Sequence, residues 1–232
     1  MDYAAWARAY SDIFPYSEQK AMFLKTHLKP GRLADIGCAD GSYAIALAKE
    51  GNLVEGYDIT KELIDIAIHR AKNNDNVSFN VLDMRAFLAT NRYDSIYSIG
   101  NTLVHLKDIE SIKKVIKQCY QSLKPGGRFI VQIVNYERIL SKEIKTLPTL
   151  EGAHHMMQRR YSFNETTINF KTILQVGSES HENTVELYPL KKHQLELLAF
   201  DAGFIHGEFY SGFNDTPFNS NDAFALVAVF EK

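Results

Sequence analysis

The sequence predicts an α/β fold: a doubly wound, mostly parallel sheet with helices on both faces, and a smaller antiparallel sheet inserted after the fifth strand. Short apolar runs alternate with amphipathic helical stretches up to residue 134, which is typical of a parallel sheet. Beyond about residue 140, alternating polar and apolar residues predict antiparallel strands instead. With 45% hydrophobic residues among 232, the chain has enough apolar side chains for one large core.

Five parallel strands are expected in the first part of the chain, each a short apolar run, at residues 33–36, 53–57, 77–82, 93–99 and 128–134. Between them, apolar residues recur at helical spacing and predict helices at 42–49, 61–72 and 109–123. The Lys-Pro-Gly-Gly segment at 124–127 ends the last of these helices, because proline and glycine are poor helix formers.

The second part of the chain is expected to begin with the inserted sheet, at about residues 140–190. Its strands are predicted at 158–163, 168–176 and 184–190, with turns at 164–166 and 178–183. A helix at 195–202, closed by Gly203, and strands at 205–210 and 223–230 complete the chain. No linker is long enough to separate two domains, so residues 1–232 are expected to form a single domain with a helical N-terminal cover at about 1–30.

Charge and composition narrow the function classes. The formal net charge is -2 and the longest basic runs are pairs, so no nucleic-acid partner is expected. Cys38 and Cys119 are too few for a disulfide framework or a cysteine-rich zinc site, and no metal site is predicted. The first residues lack the features of a signal peptide, and no run of about 18 apolar residues is present. We therefore expect a cytoplasmic protein without a membrane partner.

The strongest functional signal is the segment DIGCADGS at residues 35–42, where the first strand passes into the first helix. Glycines at such a junction allow a sharp turn and a close approach of the backbone to a ligand. The free N–H groups at the start of the helix favour electron-rich ligand atoms. A tight strand-to-helix turn without any ligand would explain the same glycines.

Acidic residues follow the next two strands. Asp58 comes after the second strand, where a carboxylate can accept hydrogen bonds from both hydroxyls of a ribose. Asp83 and Met84 come after the third strand and could hold the amino group and the face of an adenine. Taken singly, Asp58 could be a turn residue and Asp83 a helix cap. Their joint placement predicts a nucleoside site at the carboxyl edge of the sheet.

Four segments together resemble the class I S-adenosylmethionine-dependent methyltransferases: LADIGCADGS, VEGYDIT, VLDMR and LKPGGRFIV. The resemblance covers most of the chain and implies a Rossmann-like, seven-stranded sheet whose last strand is antiparallel. It also implies S-adenosylmethionine as cofactor and S-adenosylhomocysteine as product. Ala39 departs from the family's common GxGxG loop, so a weaker or slightly displaced contact is expected there. The implied cofactor contacts are Asp35, Gly37, Ala39, Gly41, Tyr43, Asp58, Ile59, Asp83, Met84, Ile99 and Gly100.

The segment after the fourth strand, GNTLVHL at residues 100–106, is similar to the GNS-x-x-HL segment of the glycine/sarcosine N-methyltransferase group. This likeness implies a small acceptor that is methylated at an amine nitrogen. It further implies that Asn101 lines the site and that His105 orients the acceptor or relays its proton. A structural histidine with satisfied hydrogen bonds would explain His105 equally well.

Related enzymes fold an N-terminal segment and an insert of this kind over their site. The resemblance places Tyr10 near the methionine carboxylate of the cofactor, although simple packing would explain most aromatic residues of the segment. Trp6, Tyr136 and Arg160 are candidate contacts of the acceptor. An arginine on the insert could pair with an acceptor carboxylate, and a solvated surface position is the alternative.

Other functions fit part of the pattern. A nucleotide-dependent oxidoreductase shares the glycine loop and the acid after the second strand, but Gly37 and Gly41 are spaced GxxxG and the usual GxGxxG is absent. A non-catalytic protein of the same fold, an O-methyltransferase, and a methyltransferase acting on protein or RNA are further alternatives. The charge balance and the covering insert favour a small acceptor over a macromolecule.

Overall fold

The computed structural model describes residues 3–72 and 74–232, and within them the strands form one sheet of seven strands and one of four. The strands are β1 (Arg32–Ile36), β2 (Leu53–Asp58), β3 (Val77–Val81), β4 (Tyr93–Ser98), β5 (Leu123–Val134), β6 (Thr146–Glu151), β7 (His155–Phe163), β8 (Ile168–Val176), β9 (Glu179–Leu187), β10 (His206–Tyr210) and β11 (Ala225–Glu231). The α-helices are α1 (Tyr3–Ile13), α2 (Glu18–His27), α3 (Ser42–Lys49), α4 (Lys61–Ala71), α5 (Ile109–Ser122), α6 (Tyr136–Ser141) and α7 (Lys192–Ala202).

The seven-stranded sheet has the order β10-β11-β5-β4-β1-β2-β3. Every pairing among strands β1 to β5 is parallel, whereas β11 runs antiparallel to both β5 and β10. The predicted Rossmann-like sheet with an antiparallel last strand is therefore confirmed. Because the order reverses between β1 and β4, the carboxyl ends of these two strands border a crevice in which open α/β sheets bind ligands.

Neighbouring residues of the central strands enter different cores, one on each face of the sheet. Ile96 and Val131 belong to the core that includes apolar residues of α5 and α7. Tyr97 and Ile130 belong to the core that includes residues of α2, α3 and α4. Each fully buried large apolar side chain contributes roughly 1.5–3 kcal/mol. Burial on both faces explains why these strands read as continuous apolar runs in the sequence.

The four-stranded sheet follows β5, as predicted, but two of its details differ from the prediction. Strand β6 was missed because Pro148 and a register shift interrupt its pairing with β7, features that an edge strand tolerates. The predicted turn at 178–183 is wrong, because the chain already reverses at Gly177, whose φ is +59°. Strand β9 begins at Glu179, and its pairing with β8 continues without a break from there.

Helix α1 packs against the inner face of the four-stranded sheet. Ala9 and Ile13 form a small apolar cluster with Met157 of β7 and Leu174 of β8. We call α1 and the four-stranded sheet together the cover, because both border the same cavity of the main sheet. In the part of the chain that the structure describes, no helix combines the length and the apolar character needed to cross a membrane.

A single carboxylate joins the two parts of the cover. Asp12 of α1 accepts hydrogen bonds from the backbone N–H groups of Ala153 at 2.7 Å and His154 at 2.9 Å. Its Oδ2 also lies 2.7 Å from Nδ1 of His155. The backbone of Gly152 passes so close that a Cβ there would lie 2.4 Å from the Asp12 carboxylate. The turn between β6 and β7 is therefore held by α1.

Candidate functional site

A cavity of about 580 Å³ opens at the carboxyl edge of the main sheet, beside the ends of β1 to β4. This is the edge at which open α/β sheets bind their ligands, and the volume lies in the range of small-molecule sites. Residues of α1 and β9 close the cavity on the side of the cover. The predicted site residues that line it are Trp6, Tyr10, Gly37, Ala39, Asp58, Ile59, Asp83, Met84, Gly100 and His105.

The loop after β1 depends on a glycine. Gly37 has a φ of +78°, and a Cβ at this position would lie 2.4 Å from the side chain of Thr102. The N–H groups of Gly37 and Cys38 donate to the carbonyl of Tyr57 at 2.7 and 3.0 Å, which ties the loop to β2. Both the backbone conformation and the lack of space therefore require glycine at position 37.

Asp58, at the end of β2, holds the same loop through its carboxylate. Its Oδ2 accepts from the N–H of Ala39 at 3.0 Å, and its Oδ1 accepts from the N–H of Thr60 at 2.9 Å. Because a carboxylate oxygen can accept about two hydrogen bonds, both oxygens can still accept from a ligand. The turn role and the ribose-binding role of Asp58 are therefore compatible.

Asp83 follows β3 and caps a short 3-10 turn, Met84–Ala86. Its Oδ1 accepts from the backbone N–H of Arg85 at 2.9 Å, and the Arg85 side chain reaches both of its oxygens. Hydrogen bonding from this guanidinium lowers the pKa of Asp83, so the group is a carboxylate at neutral pH. Met84 lines the cavity beside it. Asp83 therefore caps the turn, which was the alternative to a ligand-binding role, and it also lines the cavity.

The lining residues fit a nucleoside ligand. Gly100 has a φ of +81°, and a Cβ there would meet nothing within 4 Å, so its bare backbone borders open space in the cavity. Asp58 and Asp83 offer acceptors for the hydroxyl and amino groups of such a ligand. Met84 adds an apolar surface of the kind that packs on a purine ring.

His105 and Tyr10 differ in how burial affects their protonation. The His105 side chain is exposed at the cavity wall, and its partial removal from water there lowers its pKa, with the Asp58 carboxylate acting in the opposite direction. The imidazole is therefore neutral at pH 7 and can accept a proton. Burial, together with the charges of Asp40, Asp58 and Asp35, raises the pKa of Tyr10 well above its usual value. The Tyr10 phenol therefore stays protonated and can act only as a hydrogen-bond donor or a neutral acceptor.

Asp35 lies beneath the cavity floor, since the following residue, Ile36, lines the cavity and Asp35 does not. Its side chain is buried, and Oδ1 has no hydrogen-bond partner among residues 3–72 and 74–232. Burial, and secondarily the charges of Asp58 and Asp40, raises the pKa of Asp35 to about 8. A nearby positive charge would stabilise the ionised form of this carboxyl group and lower its pKa.

Asn101 and Tyr136 bind each other and do not line the cavity. The Asn101 amide donates to the Tyr136 hydroxyl at 3.0 Å, and its Oδ1 accepts from the N–H of Val134 at 2.9 Å. Asn101 also has a φ of +70°, a conformation that asparagine tolerates better than most residues. The Asn101 side chain therefore joins the loop after β4 to the end of β5. It does not line the cavity, in contrast to the prediction.

Three predicted cofactor contacts also lie outside the lining. Gly41 caps α3, and a Cβ there would lie 2.5 Å from the ring of Phe79, so this glycine serves packing. The Tyr43 hydroxyl accepts from the N–H of Ser17 at 3.3 Å on the far side of the loop. Ile99 is buried in the core shared with α2 to α4.

Arg160 points away from the cavity because its strand alternates. In β7, Met157, Arg159 and Tyr161 face α1 and the core, whereas Arg160 is exposed on the outer face. Asn183 and Val185 of β9 also line the cavity. Asn183 was missed because it falls in the predicted turn at 178–183, and Val185 because the alternation of a strand does not show which face meets the cavity. Further lining residues without a distinctive motif are Ala7, Ile36, Thr60, Leu63, Leu82, Arg85, Thr102, Leu106, Lys107, Asp108 and Ser111.

Comparisons with known proteins agree with this geometry. A sequence model of methyltransferase domains matches residues 33–127, which contain the glycine loop and both acids. The ubiquinone biosynthesis O-methyltransferase of Coxiella burnetii is 30% identical over 47% of this chain and 45% of its own length, so the match spans about half of that relative. The glycine/sarcosine N-methyltransferase of Aphanothece halophytica is 25% identical over 93% of this chain and 82% of its own length.

Solved structures extend the likeness to the cover. The CcbJ methyltransferase from Streptomyces caelestis superposes with a TM-score of 0.82 at 20% identity, over 97% of this chain and 95% of that one. At this identity the match shows a shared fold. The predicted resemblance is thus confirmed: residues 33–127 match methyltransferase domains in sequence, and the chain shares the fold of a solved methyltransferase structure.

Proposed function

We propose that this chain is an S-adenosylmethionine-dependent methyltransferase whose acceptor is a small molecule that is methylated at an amine nitrogen. The observation that carries the proposal is the cavity at the carboxyl edge of the main sheet, which brings Asp58, Asp83 and Met84 together with His105 around one space. The cover borders the same space, which suits a small acceptor better than a macromolecule.

The cofactor is assigned to the wall formed by the ends of β1 to β4. Asp58 accepts from the ribose hydroxyls, and Met84 packs on the adenine. Asp83 accepts from the adenine amino group, for which Arg85 must share or release one carboxylate oxygen. Gly37, Ala39, Ile59 and Gly100 line the same wall and are assigned backbone or packing contacts with the cofactor. The other predicted contacts are assigned a supporting role from outside the lining: Asp35, Gly41, Tyr43 and Ile99.

S-adenosylmethionine supplies a methyl group on a sulfonium centre, and its transfer is an in-line displacement that depends on alignment. His105 accepts the proton that the acceptor nitrogen releases, because its lowered pKa leaves the ring neutral at pH 7. Tyr10 holds the reacting end by hydrogen bonding, since its phenol remains protonated. Asn101 positions the loop that carries His105 through its bonds to β5. Residues of the cover exclude water from this space.

Calorimetry tests the cofactor assignment. We expect S-adenosylmethionine and S-adenosylhomocysteine to bind and NADH not to bind. Asp58→Asn should weaken the binding of both by roughly ten- to a hundredfold, because it removes a charged acceptor. Asp75→Asn, at an exposed position away from the cavity, is the matched control and should have no effect. Binding of NADH alone would contradict the proposal, and binding of none would favour a non-catalytic protein of this fold.

An acceptor oxygen is the second candidate, because one relative is an O-methyltransferase by name and a neutral His105 could deprotonate a hydroxyl as well. Support for nitrogen comes from the N-methyltransferase relative, whose match covers 93% of this chain. A methyl-transfer screen with paired compounds, each amine matched by the alcohol or phenol of the same skeleton, separates the two. Transfer to hydroxyl compounds alone would overturn the nitrogen assignment.

A further inference from the structure

Arg85 takes up the acceptor positions of the Asp83 carboxylate. Oδ1 accepts from the backbone N–H of Arg85 at 2.9 Å and from its Nε at 3.1 Å. Oδ2 accepts from Nε at 2.9 Å and from Nη2. A carboxylate has about four acceptor positions, so these bonds leave none for the amino group of an adenine. The Arg85 side chain must therefore move before Asp83 can bind such a group.

The side chain of Arg85 can move, whereas the backbone that carries it is fixed. The carbonyl of Arg85 accepts from Nε2 of Gln118 in α5 at 3.3 Å, and Phe87, which follows the turn, is buried in the core that includes α5. By contrast, the Arg85 side chain is 62% exposed and pairs with Asp83 through its guanidinium. Exposed side chains change rotamer within picoseconds to nanoseconds, so a new position of the guanidinium needs no rearrangement of the turn.

A second acidic group lies near Arg85 on the exposed rim of the cavity. Asp108 is exposed, lines the cavity together with Arg85, and is the N-cap of α5. Its Oδ1 accepts from the N–H of Ser111 at 2.7 Å, and its Oδ2 accepts from the Ser111 hydroxyl at 2.8 Å. Each oxygen can accept one further hydrogen bond. The bonds from Ser111 lower the pKa of Asp108, and the charge of Arg85 lowers it further, which agrees with the two side chains being neighbours.

Exchanging Asp83 for Asp108 as its partner costs Arg85 little. An exposed ion pair changes an equilibrium by up to about fivefold, and both pairs are of this kind, because all three side chains border solvent at the rim. Lys107, which also lines the cavity, is directed to Glu186 of β9 at 3.9 Å, so it leaves Asp108 to Arg85. The amino group of a base gains a charged acceptor in the exchange, which favours it overall.

We propose that Arg85 is a two-position residue that selects for an amino group on the purine of the cofactor. It bonds to Asp83 in the structure and turns to Asp108 when the amino group takes its place. A purine with an oxo group at this position has no proton to donate there, so Arg85 stays on Asp83. The second position links the turn after β3 to the start of α5. This inference rests on the proposed function, since it concerns the subsite assigned to adenine.

Calorimetry with two ligands tests the second position. S-adenosylhomocysteine carries the amino group, and its deaminated counterpart, S-inosylhomocysteine, carries an oxo group instead. Asp108→Asn removes the charge and keeps the cap of α5, because asparagine is an equally good N-cap. Its affinity for S-adenosylhomocysteine should fall about two- to fivefold, whereas its affinity for S-inosylhomocysteine should not change. Glu110→Gln removes an exposed charge from the first turn of the same helix and is the matched control, with no effect on either ligand.

A double-mutant cycle shows whether Asp108 acts through Arg85. Arg85→Gln removes both the competition at Asp83 and the bond to Asp108, so its affinity for S-adenosylhomocysteine should stay within about twofold of wild type. Adding Asp108→Asn to Arg85→Gln should then have no further effect, which is the non-additivity expected of two residues in contact. A purely structural role of Asp108 at the start of α5 would lower affinity equally in both backgrounds. Asp108→Ser, which also keeps a capping side chain, provides the same test if Asp108→Asn does not fold.

Several outcomes would overturn the inference. An equal loss with both ligands, no loss with either, or a loss that persists in the Arg85→Gln background would each exclude the second position on Asp108. Wild-type protein that binds S-inosylhomocysteine as tightly as S-adenosylhomocysteine would show that the amino group is not selected. Failure of wild-type protein to bind S-adenosylhomocysteine would contradict the proposed function itself and is seen before any variant is measured.

Discussion

The wall of the cavity that is formed by the main sheet differs from the wall that is formed by the cover. On the main sheet, the side chains that face the cavity are held by neighbouring backbone: Asp58 binds two N–H groups, and Asp83 caps its own turn. On the cover, Trp6 lines the cavity, and its buried Nε1 has no partner in the described residues. The acids that line the first wall are therefore already fixed by the protein's own hydrogen bonds, whereas the second wall contains a buried donor that these bonds leave free.

This difference agrees with the two roles that we propose. A wall that binds one invariant cofactor benefits from residues that are already in place, because preorganisation lowers the cost of binding. A wall that selects the acceptor must distinguish compounds by groups that the correct one satisfies and the wrong one leaves unpaired. The predictions below change one wall at a time.

The largest effect is expected at Gly37. Gly37→Ala places a Cβ against Thr102 and forces alanine into a left-handed conformation, which together should cost roughly 2–5 kcal/mol of stability and abolish cofactor binding. Gly51→Ala is the matched control, because Gly51 has a similar φ of +89° but nothing within 4 Å of the added Cβ. It should cost about 1 kcal/mol. Denaturant unfolding and calorimetry measure both variants, and equal losses would refute the steric explanation.

Gly100→Ala tests whether the open space beside Gly100 is occupied by the ligand. The added Cβ meets no protein atom within 4 Å but enters the cavity, so stability should fall by about 1 kcal/mol. Affinity for S-adenosylhomocysteine should fall more steeply, by roughly tenfold, because a methyl group occupies space that the ligand needs. Unfolding curves and calorimetry on one preparation compare the two losses. A variant that loses stability and keeps its affinity would move the ligand away from Gly100.

Asp12→Asn should loosen the cover and leave the wall on the main sheet intact. Hydrogen bonds from the turn between β6 and β7 lower the pKa of Asp12 to about 2. Because the folded-state pKa is depressed, the stabilisation is present above about pH 4 and is lost as the pH falls towards 2. The Tm of wild-type protein should exceed that of the variant at pH 7, and the gap should close in acid. Asp65→Asn, which removes an exposed carboxylate paired with Lys61, is the control.

The smallest effect concerns the protonation of His105. Because burial lowers its pKa, its ring should titrate below the ordinary histidine value of about 6.5. An NMR titration of the histidine ring signals measures this, and His105→Gln identifies the signal that disappears. The control is exposed His206, which pairs with Glu208 on the surface and should keep its signal in the variant. A His105 midpoint above 6.5 would remove it as the proposed base at neutral pH.

The main-sheet wall could be predicted because its residues occur at positions that the chain order defines. Asp58 and Asp83 each follow a strand, and parallel strands bring their carboxyl ends to one edge. Gly37 and Gly100 follow strands in the same way. The same logic also predicts Gly41 and Asn101, but neither lines the cavity. Nothing local in the sequence distinguishes a residue that faces a ligand from one that packs on Phe79 or binds β5.

The sequence by itself determined the α/β class, the alternation of strands and helices up to β5 and the edge that carries the acids, because the periodicity of apolar residues and the glycines that end strands are local properties. Only the tertiary structure decided which face of the four-stranded sheet is turned towards the cavity. Side chains of a strand alternate, so a shift of one residue exchanges Arg159 for Arg160, and apolar residues on both faces at Met156 and Met157 leave that choice open. The packing of α1 against Met157 settles it.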